Sequence, residues 1–117
     1  MLDKTNDNQG YLCGRLAATL EKIQDEAKSG DSIRTRYLSA ASTTPSAVFP
    51  SMMNLSVHHS EKLNNGLRIF YEQLKQEIIE KLSSNGFPAH LDLNDQGRFF
   101  VGYYHQLASF YTKKENK

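Results

Sequence analysis

A chain of 117 residues with 38 % apolar content and a mean hydropathy of −0.59 suits one domain with one core and solvated outer faces. Its formal net charge of only +1 excludes a strong field that would draw it unaided to a polyanion. The single cysteine, Cys13, excludes an internal disulfide and points to a reducing compartment.

Residues 1–8 read as a polar lead-in without the basic and apolar regions of a signal peptide. No apolar run approaches the roughly 18 residues of a membrane span, so a soluble intracellular protein is expected. Asn6, Asp7 and Asn8 all offer capping oxygens to a first helix over about 9–28. There Leu12, Leu16, Thr19, Leu20, Ile23 and Ala27 recur at three and four, and Gly30 supplies the stop. Cys13, beside Leu12 and Leu16 and without a Cys-x-x-Cys partner, reads as a small buried thiol. Lys22 and Glu26 have the spacing of an i, i+4 ion pair, whereas Arg15 has no obvious local partner.

Asp31 or Ser32 caps a short second helix from Ile33 to Ala41. Arg34 and Arg36 stand near its start, where the helix dipole disfavours cations. Either an external anion or an ordinary surface salt bridge accounts for them. Thr44 followed by Pro45 marks a strong helix start, while Pro50 predicts a short turn at 45–49 and a longer helix over about 50–63. Met52, Met53, Leu55, Val57 and Leu63 would form its apolar face. His58 and His59 diverge by about 100° on a helix, unlike the i, i+4 spacing of zinc ligands. No metal site is expected.

After a break at Asn64-Asn-Gly66, Leu67, Phe70, Leu74, Ile78 and Leu82 predict an amphipathic helix over about 67–83. Arg68 and Lys75 lie seven apart on it with Glu72 between them, the pattern of a solvated charge lattice. Ser83-Ser-Asn-Gly86 ends that helix, and Phe87, Leu91 and Leu93 are expected to pin an extended connector to the core.

The last helix, capped by Asp92 or Asn94, carries six of the twelve aromatic residues. Phe99, Tyr103, Leu107 and Phe110 form one stripe, and Phe100, Tyr104, Leu107 and Tyr111 a second beside it. Together they span roughly 140°, which predicts a central helix packed on two sides. Gly97 and Gly102 inside it each cost about 1 kcal/mol relative to alanine, so a close neighbour against Gly102 is expected. On the less apolar flank, Arg98 and His105 are functional candidates. Residues 113–117 read as a frayed polar tail. The fold class is therefore all-α, a five-helix bundle whose expected structural core includes Leu16, Leu20, Phe70, Leu74, Phe99, Tyr103, Leu107 and Phe110.

The chain has no P-loop, Gly-x-Gly-x-x-Gly, His-Glu-x-x-His, Gly-x-Ser-x-Gly or metal-ligand cluster, and its acidic residues show no pairing for acid–base work. A hydrolase built on His90 and His105 would need a pocket holding both with a nucleophile or metal. No enzyme activity and no cofactor are expected.

Four stretches carry a resemblance. They are Tyr11-Leu-Cys-Gly-Arg-Leu16 with Leu20-Glu-Lys-Ile-Gln24; Ala41-Ser-Thr-Thr-Pro-Ser-Ala-Val-Phe-Pro50 with His58-His59; Phe87-Pro-Ala-His-Leu91; and Asp95-Gln-Gly-Arg-Phe99 with Gly102-Tyr-Tyr-His-Gln106. In this order, over nearly the whole chain, they resemble the C-terminal helical region of the large subunit of type I-C CRISPR Cascade. That region is also made as a separate small subunit, which the initial Met1 matches. The resemblance implies a structural, non-enzymatic role in a cytoplasmic prokaryotic complex. Its partners would be the large and backbone subunits, further copies of itself, guide RNA and target DNA. The protein would support the guide–target duplex and displaced strand through backbone contacts, leaving sequence reading to base pairing. Arg15, Arg34, Arg36, Arg68 and Lys75 are the nucleic-acid-binding candidates, and Arg98 sits in the Asp-Gln-Gly-Arg motif with an alternative structural role. Where the family often carries a basic residue after Val-Phe-Pro, this chain has Ser51. The competing reading is a helical adaptor that braces protein neighbours without touching nucleic acid.

Overall fold

The computed structural model describes residues 2–28, 33–82 and 86–112, the last without its side chain. The described residues form five helices: α1 (Gln9–Ala27), α2 (Ile33–Thr43), α3 (Pro45–Ser60), α4 (Asn65–Lys81) and α5 (Leu93–Thr112). The described residues contain no strand. None of their helices is long and apolar enough to cross a membrane.

The all-α bundle expected from the periodicity is present, but its centre is α1. This helix packs against each of the other four, whereas α5 lies along α1 and touches α2 more lightly. The reason is in the side chains of α1. Gly10, Gly14, Ala17 and Ala18 keep one side thin enough for a second backbone to approach, while Leu12, Leu16, Leu20 and Ile23 fill the others. Burial of each large aliphatic side chain contributes about 1.5–3 kcal/mol. Asn8 caps α1 by accepting from the Tyr11 amide at 3.0 Å. The left-handed turn at its end is taken by Lys28, with φ 57°, two residues ahead of Gly30. Gly30, with Asp31 and Ser32 as the expected caps of α2, lies outside the described residues.

The predicted break at Pro50 does not occur: α3 runs through it without interruption. Pro50 and Ser46, the residue whose carbonyl loses its helical partner, are both exposed, so water can satisfy the freed acceptor. Pro45 opens α3 as expected. Thr44 occupies the cap position, but its hydroxyl donates back to the Ala40 carbonyl at 3.2 Å. Within α3, Met52 is buried whereas Val57 is 51 % exposed. α3 ends at Ser60, so Leu63, expected inside the helix, is buried just beyond it. The Ser46 amide donates to Pro88 O and the Leu91 amide to Thr43 O, at 2.9 and 2.8 Å. These bonds, with the Phe49–Phe87 stack at 4.7 Å and buried Leu91, hold the connector. Leu93, expected to help, is 83 % exposed at the first position of α5. Asp92 caps α5 by accepting from the Asp95 amide at 2.8 Å.

Two helical faces are turned from their expected positions. On α4 the buried positions are Tyr71, Lys75 and Ile78, so Phe70 stands 40 % exposed and Leu74 is only half-buried. Phe70 is thus not a core residue. Its place is taken by the Tyr71 ring, which packs edge-to-face against Phe110 at 5.9 Å and keeps its hydroxyl in reach of Glu26 at 3.2 Å. On α5 the buried residues are Phe99, Gly102, Tyr103, Gln106 and Phe110. Leu107 is half-buried, and Tyr104 and Tyr111 are 59 % and 58 % exposed. Of the second stripe, Tyr104 and Tyr111 therefore face outward while Phe100 and Leu107 pack partly against the core, and α5 is packed chiefly on its α1 side.

The close neighbour expected at Gly102 is the α1 backbone. A Cβ there would stand 2.2 Å from Tyr11 O. The fit is reciprocal, because a Cβ on Gly14 would stand 1.9 Å from Phe99 O. The two helices run in the same direction, with Gly10 at Asp95, Gly14 at Phe99 and Arg15 at Gln106.

Candidate nucleic-acid interface

The five cations singled out from the sequence do not converge on one face. Arg15 is 1 % exposed, and its Nε donates to Gln106 Oε1 at 2.8 Å. Its Nη2 has no hydrogen-bond partner among the described residues. Burial depresses the guanidinium pKa, opposed by the nearby Tyr11, Glu77 and Asp3. Arginine stays protonated nonetheless, so this is a buried charge at the α1–α5 seam. A phosphate on the outside cannot reach it.

Lys75 is also withdrawn, at 5 % exposure. Its Nζ donates to Ser56 Oγ at 3.1 Å and pairs with Glu72 at 3.1 Å. Glu72 in turn accepts from Ser60 Oγ at 3.0 Å, so the group ties α4 to the end of α3. The expected solvated charge lattice is here an inter-helix strut. On α1, by contrast, the predicted Lys22–Glu26 pair forms at 3.6 Å.

Three candidates reach solvent. The Arg34 side chain is 56 % exposed, with Nη2 on Glu21 at 2.9 Å and Nε on the Tyr103 hydroxyl at 3.0 Å. Its pKa is held up by the hydrogen bond to Glu21, then by that to Tyr103. The Tyr103 hydroxyl donates to Glu21 in turn, and burial together with Glu21 pushes the phenol well above its ordinary range. Arg36 is exposed and lies over the Tyr37 ring at 5.3 Å. Two positions apart on a helix, Arg34 and Arg36 point about 200° from each other. Arg68, half-buried, donates to Asn65 in the first turn of α4. The salt bridge weighed for Arg34 is therefore present, and it leaves part of the guanidinium open.

The remaining candidates have structural surroundings. Arg98 pairs with Asp95 at 3.2 Å on the surface of α5. His105 Nδ1 meets the Tyr11 hydroxyl at 3.0 Å, and that hydroxyl accepts from the Asp3 amide at 2.9 Å, drawing the lead-in onto the bundle. His90 is exposed in the connector. Cys13 is fully buried, and desolvation pushes its thiol up to about 12. The described residues hold no group of three or more His, Cys, Asp or Glu able to bind a metal ion.

Sequence reasoning did not single out Gln106 or Glu21. Both are polar partners of residues read as apolar or charged in isolation. A signal for Gln106 exists: Phe99, Tyr103, Gln106 and Phe110 follow a four-three-four spacing, the seam pattern of two closely packed helices.

The sequence model of the CRISPR-associated protein family Cas_Csd1 matches residues 1–111. The chain belongs to that family. The match covers α1 to α4 and α5 as far as Tyr111. No curated protein matches the chain. Membership in Cas_Csd1 supports a role in a CRISPR-associated assembly in general terms, and with it the coarser part of what the resemblance implied.

Proposed function

We propose that the chain is the non-catalytic small subunit of a type I-C CRISPR effector complex, held among protein neighbours beside the guide–target duplex and the displaced strand. The observation that carries the reading is the Cas_Csd1 match over nearly the whole chain, together with the four motif stretches that resemble the type I-C small subunit. With Arg15 and Lys75 inside, binding of phosphates falls to Arg34 and Arg36 first and Arg68 second. Such binding is weak for an isolated protein of net charge +1 and gains strength when neighbouring subunits hold it in place.

The test is target-duplex binding by a reconstituted type I-C complex, with and without this chain, across a salt series. Tighter binding and a steeper salt slope on adding the chain are expected. Arg34→Gln with Arg36→Gln should flatten that slope by about 1 for each phosphate no longer neutralised, while leaving the fold intact. A chain that assembles but changes neither affinity nor slope is a protein-only brace. That second reading is favoured by the burial of two of the five candidate cations and by the dispersal of the others over separate faces.

A further inference from the structure

The side of the bundle bearing α4 and α5 is unfinished. Both helices pack on α1, yet the extensive helix–helix interfaces do not include one between them. They meet through the Tyr71 and Phe110 rings. On one flank of that meeting a groove of about 590 Å³ opens between Gln73, Glu77 and Glu80 of α4, Gln106 of α5 and Lys4 of the lead-in. On the other flank a smaller hollow of about 260 Å³ is bordered by Leu67, Lys22 and Tyr111. Phe70 and Phe110 line both. From Phe70 to Glu80 the larger groove follows α4 for about 15 Å at 1.5 Å per residue.

We infer that this groove is a docking site for an amphipathic helix of a neighbouring protein subunit, apolar on the face it buries and flanked by lysine or arginine. The length and the two-walled shape match the helix-in-groove mode of recognition. The apolar anchors are Leu74, Phe110 and Phe70, the last 40 % exposed despite its place in an apolar register. Charge selects the basic flank. In the smaller hollow Lys22 and Glu26 pair with each other at 3.6 Å and leave little net field. The α4 wall of the larger groove, however, exposes Glu77 and Glu80 one turn apart, and Glu80 has no ion-pair partner among the described residues. Lys4 stands on the opposite wall. Glu77 also faces the buried Arg15 guanidinium, so Glu80 is the uncompensated charge on this wall: an acidic helix would meet like charge there, and a basic one finds a partner. The neighbouring subunit as the source of the helix rests on the proposed function; the groove's preference for such a helix does not, so the two can fail separately.

The experiment is a titration of the isotope-labelled full chain with two synthetic helical peptides, followed by amide chemical shifts. Both carry leucine at i, i+4, i+7 and i+11; one is flanked by lysine, the other by glutamate. The lysine peptide should shift the amides of Phe70, Gln73, Leu74 and Gln106. Glu77→Lys with Glu80→Lys should weaken it about tenfold and transfer the preference to the glutamate peptide. Phe70→Ala should weaken both peptides with an unchanged far-ultraviolet spectrum. Equal affinity for the two peptides, shifts on another face, or no shifts at millimolar peptide would overturn the inference. So would groove shifts on simple dilution, which assign the site to a second copy, or on deletion of residues 113–117, which assign it to the chain's own end.

Discussion

Where α1 meets α5, the backbones themselves touch, and glycines at Gly14 and Gly102 supply the room. Where α4 meets α5, aromatic side chains hold the helices apart and an open groove remains. The first region is closed by geometry that tolerates no added atom; the second is bounded by side chains that can yield. Stability should therefore be concentrated at the α1–α5 seam, and the α4–α5 side should accept change and partners. Local stability follows the density of buried packing, which makes the contrast measurable.

The largest effects test aromatic anchors on the two sides. Phe99→Ala or Tyr103→Ala should destabilise the protein by about 3–5 kcal/mol, since both side chains are fully buried. Phe70→Ala should cost under about 1 kcal/mol, its ring being 40 % exposed. Urea unfolding of the three variants decides it. Equal losses at Phe70 and Phe99 would show that the α4–α5 side is as tightly held as the seam.

Next comes the seam itself. Gly14→Ala gains helix propensity of about 1 kcal/mol, yet its Cβ would lie 1.9 Å from Phe99 O. The obstructing atom is backbone, so one helix must move. A net loss of about 3 kcal/mol is expected, at the upper end of overpacking costs. Gly102→Ala, facing Tyr11 O at 2.2 Å, should behave alike. Thermal melts of both variants provide the check, and an unchanged midpoint would remove the close-packed seam.

A smaller effect is expected in alkali. Burial raises the pKa of Tyr71 and Tyr103 above the ordinary 10.0, assisted by Glu26 and Glu21 respectively. Both phenols ionise at lower pH in the unfolded chain than in the fold. Their stabilising contribution is thus complete below pH 10 and is lost as the pH rises past it. Unfolding free energy measured on either side of pH 10 should fall, and less steeply in Tyr103→Phe. The Cys13 thiol, pushed up to about 12, should react with thiol reagents only as the chain opens.

Much of this molecule was legible in its sequence because periodicity reports which residues avoid water. The five helices, the Pro45 start and the Lys22–Glu26 pair followed from local rules, and so did the sets of candidate caps, of which Asn8 and Asp92 are the ones used. The turned faces did not, because they depend on neighbours distant in the chain. Phe70 and Lys75 are the clearest case: the lysine is inside because Ser56 and Glu72 complete its bonds, and the phenylalanine is outside because Tyr71 fills the place beside Phe110. Arg15 shows the same limit at the candidate site. Its lack of a local partner fitted an external phosphate, but its partner is Gln106, 91 positions away. Charge in a sequence says where a cation is, and only packing says whether solvent reaches it.

The smallest prediction reverses the sign of the seam result with the same chemical change. A Cβ on Gly97 would meet nothing within 4 Å, and the residue lies in the second turn of α5, exposed. Gly97→Ala should therefore stabilise the isolated chain by about 0.5–1 kcal/mol, the ordinary gain for removing a glycine from a helix. Loss of stability would place an obstruction where none is seen. If the substitution stabilises the chain yet weakens its incorporation into the reconstituted complex, the open space over Gly97 belongs to a neighbour that approaches α5 as closely as α1 does at Gly14.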